Sequence, residues 1–142
     1  MKRWKIREET FKLLYQLDIN KGDPETALEY FIEEHPDNLF AVKQIRESLS
    51  VIIQNKDFID DTISTYIKNW TIDRLAATIR NILRLAIGEM LYLETIPYEV
   101  SISEAVKLAK RYGDPKWEQF VNGVLGKFLE EQRLLGLPKN RL

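Results

Sequence analysis

The chain contains no cysteine and a single histidine among its 142 residues. Without thiols there is neither a disulfide nor a thiolate metal centre. His35 stands beside Pro36 in an acidic stretch. A catalytic imidazole needs an orienting pocket, so a solvated loop residue is the simpler reading. The six glycines form no phosphate loop of the P-loop or dinucleotide type. Asp57, Asp60 and Asp61 share one helix face, but no histidine stands near to support a metal, and they read as a solvated face. The longest apolar run, Ile82 to Leu93, is broken by Arg84 and Glu89 and suits a core helix better than a membrane span. No signal peptide is recognisable, and no segment alternates with period two long enough to make a strand. The absences predict a soluble cytoplasmic protein that is not an enzyme, with no cofactor and no metal.

What is present is helical periodicity. An apolar content of 44% over this length is enough for one domain with a real core. From Ile79 to Leu93 the wheel is apolar almost all round, which predicts a central helix enclosed by the others. Glu89, within it, reads as a buried carboxylate paired with an arginine such as Arg74 or Arg84. Pro97 ends this helix, and Ser101-Ile102-Ser103-Glu104 reads as a capping box opening the next. Gly113 is expected to close that helix as a left-handed cap, and Asp114-Pro115 to start another at once. Earlier in the chain, residues 3–19 form a first helix closed by Asn20-Lys21-Gly22, and Asp23-Pro24 opens a second. Periodicity resumes after Pro36 and continues, with a break near Asn55-Lys56, to Trp70-Thr71, where Thr71 is expected to cap the following element. The fold class is all-α, with six or seven helices and short connections that favour neighbouring antiparallel pairs.

The net charge of −1 conceals an uneven distribution. Lys2, Arg3, Lys5 and Arg7 make the opening basic, whereas seven carboxylates against one lysine lie between Asp18 and Asp37. In the helix after Ser101, Lys107, Lys110 and Arg111 oppose an apolar side, with Tyr112 at the edge. In the last helix Lys116, Phe120, Gly123 and Lys127 fall within one narrow arc. Asn122, Gly123 and Gly126 make a small-residue side expected to admit another backbone or a ligand closely. Basic groups interleaved with aromatics suit single-stranded RNA, where cations meet phosphates and rings stack on unpaired bases. The alternative is that Phe120 belongs to the core, Tyr112 staples a helix end and the lysines are solvated.

These segments, in this order, resemble the NusB family of bacterial transcription antitermination factors. Arg7-Glu8 with Leu14-Tyr15 resembles the family's R-E-x-x-x-x-x-L-Y opening, and Trp70 to Leu75 its W-x-[IL]-x-R-L segment. Ile82 to Ala86, Ile96-Pro97, Glu104 to Lys110 and Phe120 to Leu125 follow in the family's sequence. The resemblance implies two packed helical bundles, about 1–70 and 71–135, with a frayed tail at 136–142. It implies pairing with NusE, a small-subunit ribosomal protein, and binding of single-stranded boxA RNA in ribosomal RNA operon transcripts. The pair would act within the RNA polymerase antitermination complex. Carried over by position, the RNA-facing residues are Lys2, Arg3, Lys5, Arg7, Tyr112, Lys116 and Phe120, to which the basic arc adds Lys127. Ile79, where the family is usually acidic, and Arg80 correspond to the NusE side. A lysine at 116, Trp117 and Trp4 depart from the family pattern. The same resemblance leaves room for a helical adaptor, or for a module serving an RNA-modifying enzyme.

Overall fold

The computed structural model describes residues 1–136, so all but the first residue of the expected frayed tail lies outside the described residues. Among these are seven α-helices and no strand. They are α1 (Arg3–Asn20), α2 (Pro24–Glu34), α3 (Leu39–Gln54), α4 (Lys56–Tyr66), α5 (Ala77–Tyr92), α6 (Tyr98–Tyr112) and α7 (Pro115–Leu134), with a 3₁₀ turn at Ile72–Arg74. Every residue from Asn81 to Met90 is buried. A helix apolar around nearly its whole circumference has no side to offer water, and α5 accordingly packs on α1, α3, α4, α6 and α7. On one side α1, α2 and α3 pack on one another; on the other, α6 and α7 pack together and α4 leans on both α5 and α7. One apolar cluster, from Ile6 to Leu129, runs through both groups. Gly88 permits the close approach of α3: a Cβ there would lie 2.5 Å from Ile52 Cγ1.

Several helix ends differ from the sequence expectation. The helix after Pro97 starts a full turn early, at Tyr98, because Pro97 itself takes the extended N-cap conformation. Ser101 is therefore inside α6, buried, and its hydroxyl donates to Glu89 at 2.7 Å instead of capping. Gly113 is not left-handed, having φ −124°. Its need for glycine is spatial, since a Cβ would come within 2.9 Å of the Ala109 carbonyl. The left-handed residue closing α1 is Lys21, at φ 56°. Asp23 caps α2 by accepting from the Thr26 amide at 2.9 Å, whereas Asp114 and Thr71 stand at N-cap positions without a side-chain bond.

Buried charge ties the groups together. Asp18 accepts from Arg80 at 2.6 and 2.9 Å and from Asn81 at 2.9 Å. Arg84 lies 3.4 Å from Asp18 and grips both oxygens of Asp60, at 2.7 and 2.9 Å. Asp60 is thus no solvated carboxylate; it joins α4 to α5. Burial alone would raise the Asp18 carboxyl, but hydrogen bonds from Arg80 and Asn81, with the Arg84 charge, hold it down to about 2. His35 also departs from a loose loop: its ring stacks on Phe31 at 4.4 Å, with Nδ1 3.1 Å from the Phe31 carbonyl.

Candidate nucleic-acid interface

Three helix ends meet on one side of the molecule: the start of α1, the end of α6 and the start of α7. Glu8 organises the first two. It is buried on α1, yet accepts from Lys5 at 2.8 Å, from Tyr112 Oη at 2.9 Å and from Arg111. Burial works to raise its carboxyl, but these three donors outweigh it and bring it down to about 2. The carboxylate in turn fixes its donors. Burial and the bond to Glu8 push the Tyr112 hydroxyl up, so it stays a protonated donor at neutral pH. The Tyr112 ring rests 5.1 Å from Phe11, and the Arg111 guanidinium lies 5.3 Å over the Trp4 ring.

Around this frame Lys2, Arg3, Trp4, Arg111, Tyr112 and Lys116 are exposed. A notch of about 270 Å³ opens between α1 and α6, lined by Trp4, Arg7, Glu104, Lys107 and Arg111. Tyr112 staples the end of α6 to α1 while the residue stays 38% exposed. Phe120 is half-buried, edge-on to Trp117 at 5.1 Å. Lys127 is exposed, but 11 residues beyond Lys116 along α7 it stands about 16 Å away. A Cβ added at Gly123 or Gly126 would meet no atom within 4 Å, so the small-residue side is open surface and not a packed seam.

Three expected site residues are placed otherwise. Arg7 is turned inward, its side chain only 12% exposed; Nε donates to Glu89 at 2.7 Å and Nη1 lies 3.7 Å from Glu104. It pairs with Glu89, while Arg84 is taken up by Asp60 and Asp18. Ile79 is 1% exposed, so an isoleucine where the family is usually acidic belongs to the core and presents nothing to a partner. Arg80 is held by Asp18 and by the carbonyls of Ile72 and Leu75, at 3.3 and 3.0 Å. The exposed apolar residues nearest in sequence to Asp18 are Tyr15 and Ile19, one turn apart on α1. Their i, i+4 spacing was visible in the sequence, but a mostly apolar wheel gave no means of telling the outward residues from the inward ones.

No helix among the described residues is long and apolar enough to cross a membrane, and no cluster of three or more acidic or histidine side chains there is placed to hold a metal ion. The arrangement offers charge and ring faces for binding. A sequence model of the NusB family matches residues 4–130. The transcription antitermination protein NusB of Oceanobacillus iheyensis is 44% identical over 129 residues, covering 91% of this chain and 99% of the relative. NusB of T. maritima superposes with a TM-score of 0.85 at 39% identity, over 92% of each chain. A chain in the crystal structure of the antitermination factors NusB and NusE in complex with dsRNA superposes with a TM-score of 0.81 at 28% identity, over 92% of this chain and 99% of that one. Sequence order, the central position of α5 and these likenesses agree: the chain belongs to the NusB family.

Proposed function

We propose that this chain is a transcription antitermination factor that pairs with NusE and binds single-stranded boxA RNA of ribosomal RNA operon transcripts, within the RNA polymerase antitermination complex. The observation that carries the reading is the exposure of Lys2, Arg3, Trp4, Arg111, Tyr112 and Lys116 at the start of α1, the end of α6 and the start of α7, with Arg111 and Tyr112 held by buried Glu8. Cations spaced along such a surface meet successive phosphates, while the ring faces of Trp4 and Tyr112 accept unpaired bases. A solved relative crystallised with NusE and dsRNA supports NusE and RNA as the kinds of partner. For NusE the supporting surface is Tyr15 and Ile19, since Ile79 and Arg80 are occupied within the fold. Phosphate contact comes from Lys2, Arg3 and Lys116; Lys5 is shared with Glu8 and Glu9, and Arg7 serves the core.

The test is a titration of boxA single strands, scrambled single strands and duplex RNA, with and without NusE. The expected result is preference for the boxA strand, strengthened by NusE. Equal, weak binding to all three RNAs, unchanged by NusE, would contradict the proposal.

A further inference from the structure

A second aromatic cluster lies at the start of α7. Trp117 stands with its ring 5.1 Å from Phe120, perpendicular to it, and 5.8 Å from Trp70, tilted by 58°. Trp70 belongs to the connection between α4 and the 3₁₀ turn, 47 residues earlier in the chain, so the fold alone brings the rings together. Trp117 lies beside Gly113, where a Cβ would stand 3.7 Å from the Trp117 ring and 3.4 Å from Ile79. The ladder is thus anchored at its inner end by Phe120 and Trp117, while Trp70 at its outer end is 43% exposed. The Lys116 ammonium lies 5.6 Å from the Trp117 ring centre.

An indole held on packed neighbours loses little freedom when a flat ligand settles on it, which favours binding. The charges nearest in sequence balance: Lys68, Arg74 and Lys116 against Asp73, Asp114 and Glu118. Every nucleobase has a π-face to offer such a ring. Lys116 belongs both to this ladder and to the basic surface described above, so a strand whose phosphate meets Lys116 has an adjacent base within reach of the rings. We infer that Trp70, supported by Trp117 and Phe120, is a stacking site for one unpaired base of the bound RNA strand, extending the interface from the α1–α6 side onto the connection before the 3₁₀ turn. The inference rests on the RNA-binding reading and adds a base contact to it.

The experiment titrates the full chain, with NusE, against boxA single strands carrying one abasic nucleotide at each position in turn. The parent should lose affinity at the stacked position. Trp70→Ala should bind the intact strand about 5- to 150-fold more weakly, with an unchanged salt slope, and should no longer distinguish intact from abasic RNA at that position. Trp70→Phe should keep most of the affinity. Should the alanine variant fold poorly in a thermal melt, Trp70→Leu retains apolar bulk without a π-face, and it too should lose affinity. If Trp70→Ala and Trp70→Leu bind like the parent while Lys2 and Arg3 variants bind weakly, the ladder is a packing feature and the inference fails alone. If the parent binds no RNA, the inference falls together with the reading beneath it.

Discussion

Arg7→Ala removes the guanidinium that faces Glu89 in the interior, where α1, α5 and α6 meet. Glu89 is 3% exposed and accepts the Ser101 hydroxyl at 2.7 Å, a neutral donor that does not replace the guanidinium charge. Deleting one member of a buried pair costs roughly 3–5 kcal/mol, because the other charge stays desolvated. For a chain of this length that corresponds to a fall in Tm on the order of 10–20 °C. Arg3→Ala, at an exposed position, should change Tm by no more than about a degree or two. The assay is thermal unfolding followed by circular dichroism in the helical band, with RNA binding measured well below the transition. The double variant Arg7→Met with Glu89→Gln should recover part of the loss, since it leaves no buried charge. RNA salt dependence should be the same in parent and Arg7→Ala. If Arg7→Ala instead melts like the parent and its log–log salt slope falls by about 0.7, Arg7 is a phosphate contact and the buried-pair argument is wrong.

Acid should weaken the fold through Glu8 and Asp18, both held at about 2 in the native state, below the usual carboxylate range. Because the unfolded chain binds more protons there, their contribution is full above about pH 5 and is lost as pH falls towards 2, by about 2–3 kcal/mol each; Glu8→Gln should flatten the denaturant midpoint against pH in that window, and an unchanged profile would refute the assignment. Gly88→Ala should destabilise by about 1–3 kcal/mol through overpacking against Ile52, whereas Gly123→Ala, with open space around it, should be neutral or stabilise by about 0.5–1 kcal/mol. The opposite order in a urea titration would mean that the two glycines have been assigned the wrong surroundings. Tyr112→Phe should cost about 1–3 kcal/mol of stability by depriving buried Glu8 of a donor, while RNA affinity is retained because the ring remains. A variant that melts like the parent but loses RNA would show that the hydroxyl serves the ligand and not the fold.

Much of the fold was legible because it depends on periodicity and on proline. The all-round apolar pattern from Ile79 onward put α5 at the centre, and Asp23-Pro24 and Asp114-Pro115 marked two helix starts to the residue. The errors arose where one local motif competed with a tertiary partner. Ser101 looked like a cap but lies opposite Glu89, and a serine hydroxyl inside a buried charge pair has no local signature. Arg7 looked like one more cation in a basic run, yet residues two apart on a helix point to different sides, and only packing shows that Lys5 lies near the surface and Arg7 within. Ile79 illustrates the reverse limit. Its place in the family's partner-facing segment suggested exposure, whereas its own chemistry already argued for burial. The site was legible as a list of residue types. Lys5 precedes Glu8 by one helical turn, but that Glu8 also gathers Arg111 and Tyr112 depends on contacts across more than a hundred residues, which no spacing rule reveals.

The central claim is that the exposed cations at the meeting of α1, α6 and α7 neutralise RNA phosphates. The slope of log Kd against log salt, measured for the parent and for the triple variant Lys2→Ala, Arg3→Ala and Lys116→Ala, tests it directly. The triple variant should fold normally and show a slope shallower by about 2, three lost contacts at roughly 0.7 each on a single strand. A triple variant with the parent's slope and affinity would contradict the claim.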